Sequence, residues 1–552
     1  MLLPDHYGYG NLFAFSGLDG ENSHSEDFAG MIMDKKLTVR FDGENPVTLF
    51  ADTGDIEFKA VLSDVMIGEN IRIVFADKNT VAGIFDGEVT IFCETAPCES
   101  EGDNILIGTD GFYYSLSRRG GRFALCREKS REKALALSEE KLGIDIESLC
   151  EKRISYYRSL PECKRPEYEK LYYKCLEVNK LNVYSPQDGI DCRFTTPDRL
   201  PHRHMWFWDS MFHAVAISGY DISLAKDAIR AVLQCQRDDG FIPHMIKSRT
   251  DISSITQPQV IAWAVLKVYA RDKDKSFLAE CAYKIEKYLL WFIENRDKNR
   301  NGLFEWKTDF ANTRCRCDES GMDNSPRFDT VETLDAIDCS CFMVNDCRCL
   351  SEIFSIIGES ERSQKFKNIA DKTAGLINEY LWDENTGAYC DRTFSGELTG
   401  VMTCSSFLPL FAGVCDESRA ERLLSLLCDE SKFATSFPVP SIARCDPLYG
   451  ADMWRGGTWL NYNYFIASGL RRYGFESHAR GFVEKTLECV GKWFDVTGNI
   501  FEFYDAEDKI APWFLNRKGT QPEKPDYRIR YHSITDYNWS ACFILLMLAG
   551  EF

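Results

Sequence analysis

Four segments of this chain crowd acids, tryptophans and arginines closely enough to do chemistry. The first is His202-Arg-His-Met-Trp-Phe-Trp-Asp-Ser-Met-Phe-His213. Tryptophan offers a flat apolar face to a sugar ring, while Asp and Arg offer directional hydrogen bonds to hydroxyls. The same residues would also serve as the capped start of a helix with core aromatics. The second is Asp318-Glu-Ser-Gly-Met-Asp-Asn-Ser-Pro-Arg-Phe-Asp329, in which Gly321 and Pro326 bracket a tight loop around Asp323. A carboxyl in a desolvated aromatic site can act as a general acid; the plainer reading is a capping loop before a helix from about Thr333. The third, Asp446 to Asn463, holds Trp454-Arg-Gly-Gly-Thr-Trp459 ahead of a helix whose free N–H groups favour polar ligands. The fourth, Gly498-Asn-Ile-Phe-Glu-Phe-Tyr-Asp505, sets Glu502 between aromatics, as a base or as a solvated acid on an edge strand.

Other chemistries lack their signatures. The chain has no phosphate-binding G-x-x-x-x-G-K-[ST], no dinucleotide G-x-G-x-x-G after a strand, no H-E-x-x-H and no G-x-S-x-G elbow. Cys315, Cys317, Cys339, Cys341, Cys347 and Cys349 cluster, but at C-x-C rather than C-x-x-C spacing. They read as packed thiols, and no metal or cofactor is expected.

These segments need elements to position them. From about residue 30 to 127 the chain reads as short, mostly alternating strands: Leu37–Phe41, Val47–Phe50, Ile56–Val61, Ile71–Phe75 and Glu88–Phe92. Turns at Asp42-Gly43, Asp52-Thr53-Gly54 and Asp86-Gly87 separate them, as in a β-sandwich. Residues 129–159 are charged and helix-prone. From about Pro166 helical periods dominate: 222–236, 258–270, 277–294, 333–357, 362–381, 418–427, 458–473, 477–490 and 535–548. The loops between them are long and rich in Trp, Arg, Asp, Gly and Pro, where binding groups tend to sit. Periodicity leaves two packings open, a closed toroid of helix pairs or an open solenoid. The expected division is a β-rich region 1–127, a helical connector 128–165 and a helical catalytic domain 166–552.

Composition narrows the partners. The 552 residues are 44% hydrophobic and 13% aromatic, enough for a large core, and carry a net charge of −20. Such a surface repels phosphate backbones and anionic lipid, so neither nucleic acid nor membrane is an expected partner. The start of the sequence lacks the basic and apolar regions of a signal peptide, and the 22 cysteines suit a reducing cytoplasm. Nothing in the sequence speaks to oligomeric state.

Together the motifs resemble the (α/α)6-barrel glycosidases of glycoside hydrolase family 63, which includes processing α-glucosidase I and the mannosylglycerate and glucosylglycerate hydrolases; the trehalases of family 37 are more distantly similar. Trp206-Phe-Trp-Asp-Ser-Met-Phe212 resembles the family's W-D-S-x-F segment, and Gln257-Pro258 its Q-P pair. Ser320-Gly-Met-Asp-Asn-Ser-Pro-Arg327 resembles its S-G-x-D-x-x-x-R loop. Trp454-Arg-Gly-Gly-Thr-Trp-Leu-Asn461 resembles W-R-G-P-x-W-x-N, with Gly457 where the family often has Pro, and Phe501-Glu-Phe-Tyr-Asp505 resembles E-x-Y-D. The order agrees over roughly residues 166–552.

The resemblance implies an inverting hydrolase of a small α-glucoside or α-mannoside, a disaccharide or glycosyl-glycerate, working without a cofactor. Asp323 would be the general acid and Glu502 the general base, their carboxyls roughly 6.5–9.5 Å apart to leave room for a water. Trp206, Trp208, Asp209, Trp454, Arg455 and Trp459 would line the sugar subsite, with Gln257, Trp263, Trp306 and Arg327 as further substrate contacts. Two alternatives carry over. One is a sugar epimerase using His204, His213, His244 or His532; the other is a non-catalytic carbohydrate-binding protein.

Overall fold

The computed structural model describes every residue except 6–8, 27, 34–36, 42, 53, 55, 56 and 524–529. Asp42 and Thr53 of the expected turns, and Ile56 at the start of an expected strand, lie outside the described residues.

The N-terminal part is two antiparallel sheets. One runs in the order Leu12–Ala14, Ala29–Ile32, Leu37–Phe41, Val47–Ala51 and Val89–Phe92. The other has eight strands, in the order Cys98–Glu101, Asn104–Thr109, Phe112–Arg119, Arg122–Glu128, Thr80–Phe85, Ile71–Asp77, Val65–Gly68 and Phe58–Val61. Alternate apolar side chains of both sheets, among them Val39, Leu49, Ile73, Phe75 and Leu125, bury one shared core, which is what alternation along paired strands produces. Two helices follow, α1 (Arg131–Lys141) and α2 (Ile146–Arg158), and pack on the eight-stranded sheet. Each begins at a side-chain cap, Ser130 and Asp145.

Twelve further α-helices follow among the described residues: α3 (Glu169–Leu181), α4 (Phe207–Ile217), α5 (Ile222–Gln234), α6 (Ile261–Asp272), α7 (Lys275–Asn295), α8 (Ile337–Ile357), α9 (Ser360–Tyr380), α10 (Leu408–Ala412), α11 (Glu417–Leu427), α12 (Leu460–Arg472), α13 (Glu476–Thr497) and α14 (Asn538–Leu548). Six of them contact one another in cyclic order, α4, α6, α8, α10, α12 and α14, and α14 returns to α4. That closure excludes the open solenoid and fits an (α/α)6 toroid. Every residue of the ring helices α4, α10 and α14 is buried. Outer helices show one apolar stripe instead. In α5 it holds Leu224, Ala225, Ala228, Ile229 and Val232, and Asp221 caps the start by accepting from the Leu224 N–H. Outside the ring, α5 packs against α4 and α6, α7 against α6 and α8, α9 against α8, α13 against α12 and α14, and α3 against α14.

Several expected boundaries move. The helix expected from Pro258 begins at Ile261, and the one expected from Thr333 begins at Ile337, because Leu334–Asp335 instead pairs with Arg392–Thr393 as a short strand. No helix among the described residues is long and apolar enough to cross a membrane.

Candidate active site

The four segments meet around one cavity of about 290 Å³. Trp206 reaches it from the N-cap of α4, and Trp208 and Asp209 from the first turn. The cluster is therefore both of the things its sequence allowed, a helix start and a lining of the cavity. Gln257 also lines the cavity and accepts the otherwise free N–H of Trp208 at 3.0 Å, capping α4 from across the loop. Asp209 is buried, and burial pushes its carboxyl well above the usual carboxylate range. One of its oxygens, Oδ1, has no hydrogen-bond partner. A neutral carboxyl facing a cavity can both donate to and accept from a sugar hydroxyl.

Asp323 arrives on a loop of two 3₁₀ turns, Asp318–Ser320 and Pro326–Phe328. Between them Gly321 sits at φ +72°, in the left-handed region, over Trp208. The loop is fixed from beneath by Glu319, which is fully buried. Glu319 receives Arg296 Nε and Nη2 at 2.8 and 2.6 Å, the Thr256 N–H at 3.0 Å and the Lys307 N–H at 2.6 Å. Asn324 Oδ1 accepts the Trp454 N–H at 3.0 Å, which joins the acid loop to the Trp-Arg-Gly-Gly segment.

In that segment Trp454 and Trp459 stack face to face, ring centroids 3.8 Å apart, and Phe503 stacks on Trp459 at 5.0 Å. The Gly457 N–H bonds the Met453 carbonyl at 3.2 Å, a bond that a proline there would lack. Glu502 stands on an extended segment held by its own N–H to the Ile534 carbonyl at 2.8 Å. The pairing brings Tyr537 and Trp539, at and after the end of the partner segment, to the cavity beside it.

Two adjacent cations that no sequence motif marked organise the carboxylates. Arg517 Nε donates to Glu502 Oε2 at 2.9 Å, and Lys518 Nζ pairs with Asp323 Oδ2 at 2.6 Å. Burial works against both cations, but the facing carboxylates outweigh it and hold each above its usual range. Behind Arg517 lies His202, whose Nδ1 is 2.6 Å from Asp198 and whose Nε2 is 3.1 Å from Arg517 Nη2. A carboxylate only accepts and a guanidinium only donates, so the imidazole carries its proton on Nδ1. The result is a line Asp198–His202–Arg517–Glu502. His244 also lines the cavity, and burial lowers it to about 4, so its ring is neutral.

Four expected substrate contacts lie elsewhere. Trp263 packs in the ring core against Phe212, Tyr464 and Phe465. Trp306 is buried and donates its Nε1–H to Asp338 at 2.9 Å. Arg327 is fully buried and joins Asp338 to Asp391. Arg455 turns away to Asp329 at 2.6 Å. Each satisfies a partner distant in sequence, and neither residue type nor spacing reveals such a partner. Of the four histidines that an epimerase would use, only His244 lines the cavity. His213 is buried in the core, lowered to about 3 by burial.

The cysteines are free thiols throughout. Cys315, Asp318 and Asp323 form the one group among the described residues that brings three histidine, cysteine or carboxylate ligand atoms within 4.8 Å of one another. The Lys518 ammonium lies among them, 3.3 Å from the Cys315 sulfur, and supplies the positive charge itself. Burial pushes the Cys315 thiol up, so it stays protonated and a poor metal ligand.

Comparison with known proteins agrees with this geometry. The sequence model of the mannosylglycerate hydrolase MGH1-like glycoside hydrolase domain matches residues 202–540, more than half of the chain. Mannosylglycerate hydrolase MGH1 of Selaginella moellendorffii is 24% identical over 426 residues, covering 61% of this chain and 82% of that one. The structure of a GH63 mannosylglycerate hydrolase from Thermus thermophilus, in complex with Tris and D-glycerate, superposes with a TM-score of 0.55 at 22% identity, covering 68% of this chain and 99% of that one. Neutral trehalase from Saccharomyces cerevisiae shares the fold with a TM-score of 0.50 at 14% identity, covering 68% and 79%. With the model match spanning every segment that lines the cavity, the chain belongs to the MGH1-like, family 63 glycoside hydrolases.

Proposed function

We propose that the protein is an inverting α-glycosidase for a small α-glucoside or α-mannoside, a disaccharide or glycosyl-glycerate, with Asp323 as general acid and Glu502 as general base. One observation carries the reading. The two carboxylates face a single small cavity walled by indoles, each held by its own cation. The indoles of Trp206, Trp208, Trp454, Trp459 and Trp539 suit a pyranose, and the Asp209 carboxyl suits its hydroxyls. Asp323 protonates the glycosidic oxygen as the bond to the anomeric carbon breaks. Glu502 takes a proton from the water that attacks the opposite face. The Lys518 ion pair sets a condition: Asp323 has to take up a proton and part from the ammonium before it can donate. The relatives named for mannosylglycerate support a glycosyl-glycerate; a volume of about 290 Å³ suits a small substrate rather than a polymer. We further propose that residues 1–127, 128–165 and 166–552 are the structural units, that 166–552 is an (α/α)6 catalytic domain, and that the enzyme works in the reducing cytoplasm its thiols suit.

The test is hydrolysis of a panel by purified protein, with the released anomer followed by proton NMR. The panel holds kojibiose, nigerose, maltose, isomaltose, trehalose, sucrose, glucosylglycerate and mannosylglycerate. The expected product is the β-anomer from an α-glycoside. An α-anomer would overturn the acid–base assignment.

A further inference from the structure

The ammonium that pairs with Asp323 has a second carboxyl within reach. Asp318 stands on the same loop, in the 3₁₀ turn Asp318–Ser320, and also lines the cavity. Lys518 Nζ is 2.6 Å from Asp323 Oδ2 and 3.9 Å from Asp318 Oδ1. The Cys315 thiol joins them: it donates to Asp318 Oδ1, and its sulfur accepts from Lys518 Nζ at 3.3 Å. An oxygen of each acid and the Cys315 sulfur all lie within 4.8 Å of one another. Burial, and after it the Asp323 charge, push the Asp318 carboxyl up from its ordinary value, even though its outer edge meets solvent. Two neighbouring carboxyls that share one cation favour holding one proton between them.

The groups around the pair leave the exchange to these residues. His244 is neutral, and burial keeps Asp209 protonated. Arg517 is committed to Glu502 and His202. The Lys518 backbone is anchored, since its N–H and that of Gly519 go to the two oxygens of Asp452 at 2.9 Å each. Only the lysine side chain has to move to pass from one acid to the other.

We propose that Asp318 is a positioning residue for the acid: Asp318 and Asp323 share one proton, and Lys518 pairs with whichever of them is ionised. The inference rests on the reading of Asp323 as general acid, and it meets the condition that the Lys518 ion pair sets. In the resting form the proton is on Asp318 and the ammonium on Asp323. In the reactive form the proton has passed to Asp323 and the ammonium to Asp318, so the charge of the group is unchanged. Asp323 gives its proton to the glycosidic oxygen as the aglycone leaves, and the ammonium returns to it. The proton is replaced from solvent at Asp318, whose side chain is 42% exposed against 17% for Asp323.

The test is the pH profile of kcat/KM for the purified enzyme on the glycoside it hydrolyses fastest. Asp318→Asn keeps an oxygen for the Cys315 thiol but offers the ammonium no anion. Lys518 then stays on Asp323 and favours its ionised form. The alkaline limb is expected to move down by about one pH unit, so that the loss is about tenfold above the limb and near none below it, at unchanged KM. Lys518→Met should move the same limb the other way, because ionised Asp323 loses its partner. On an α-glycosyl fluoride, which leaves without protonation, Asp318→Asn should keep pace with the wild type. Asp323→Asn, run beside them, separates the two readings. If it recovers on the fluoride while Asp318→Asn leaves the limb in place, or lowers the rate equally at every pH, the acid stands and the shared proton is overturned. If it does not recover, the acid assignment falls and this inference with it. Circular dichroism checks that each variant is folded.

Discussion

A β-carbon placed on Gly321 would lie 2.3 Å from Cζ2 of Trp208. The acid loop thus rests directly on the indole that α4 delivers to the cavity, and only glycine allows that approach at φ +72°. Gly321→Ala has to push Asp323 away from the ring or the ring into the sugar site. Displacements of about 1 Å at a reacting group cost on the order of 100-fold. A loss of that size in kcat/KM with the circular dichroism spectrum unchanged is the expected result; wild-type kinetics would show that the loop is not seated on Trp208.

The two proposed catalytic carboxyls can be told apart by the leaving group. Asp323→Asn removes a proton donor, which matters in proportion to how badly the departing group needs the proton. A loss of roughly 10²–10⁴-fold is expected on a natural glycoside. On an α-glycosyl fluoride, whose fluoride leaves without protonation, the rate should return close to wild type. Glu502→Gln removes the base and should fail on both substrates. Equal losses for Asp323→Asn on both would place Asp323 outside the acid role.

Arg517 holds Glu502 and His202 at once, and its two obvious replacements separate charge from geometry. Arg517→Leu leaves Glu502 buried beside no cation, which costs about 3–5 kcal/mol. It should lower Tm steeply. Arg517→Lys keeps the charge but cannot span both partners, because an ammonium is a point donor where the guanidinium is a fork. It should fold normally and turn over more slowly at unchanged KM. Identical melting of the two variants would remove Arg517 as the counter-charge of Glu502.

These predictions turn on residues of unequal visibility in the sequence. The outer helices were legible because an amphipathic stripe such as that of α5 repeats at the helical period. α4 was legible in two ways, as chemistry and as a capped helix start, because its aromatics serve core and cavity together. Trp263 and Trp306 show the converse, since a tryptophan that fills a core and one that floors a sugar site have the same local sequence. Arg327 and Arg455 were placed at the site by motif alone, whereas their partners Asp338, Asp391 and Asp329 became visible only once the loops had folded together. Arg517 and Lys518 carried no signal at all. They sit in an Asn-Arg-Lys-Gly segment that matches no motif, and their role exists only across the cavity.

His213 provides a pH test away from the site. Burial lowers it to about 3, against about 6.5 for a free histidine. Between those values the unfolded chain binds a proton there and the folded chain does not. Stability owed to the neutral ring is therefore complete above pH 6.5 and falls as the pH drops toward 3. Each unit is worth about 1.4 kcal/mol, giving a few kcal/mol over the window. Against His213→Leu, the wild type should lose relative stability on acidification, read as a shrinking Tm difference from pH 7 to 4. A Tm difference that stays flat would mean that the ring is protonated in the fold.

The β-rich region meets the catalytic segments through Asn11. Its Nδ2 donates to the Gly498 carbonyl at 2.8 Å and to Asn499 Oδ1 at 2.9 Å, at the head of the segment that carries Glu502. The next residue, Leu12, gives its N–H to Asp536 Oδ2 at 2.8 Å, one position before Tyr537. The Glu502 and Tyr537 segments bond each other, so a strand edge behind them fixes both at once. Asn11→Ala leaves two buried acceptors without a donor, at a cost of about 1–3 kcal/mol. If the strand only adds stability, Tm falls and kinetics below Tm are unchanged. If it aims the base, kcat falls several-fold at constant KM while the Asp323 step, read with a glycosyl fluoride, gives no relief. The second pattern is expected, because no helix carries Glu502: its segment is held by backbone bonds to residues 534 and 458 and by the Ser533 hydroxyl, and Asn11 and Leu12 anchor both sides of that pairing.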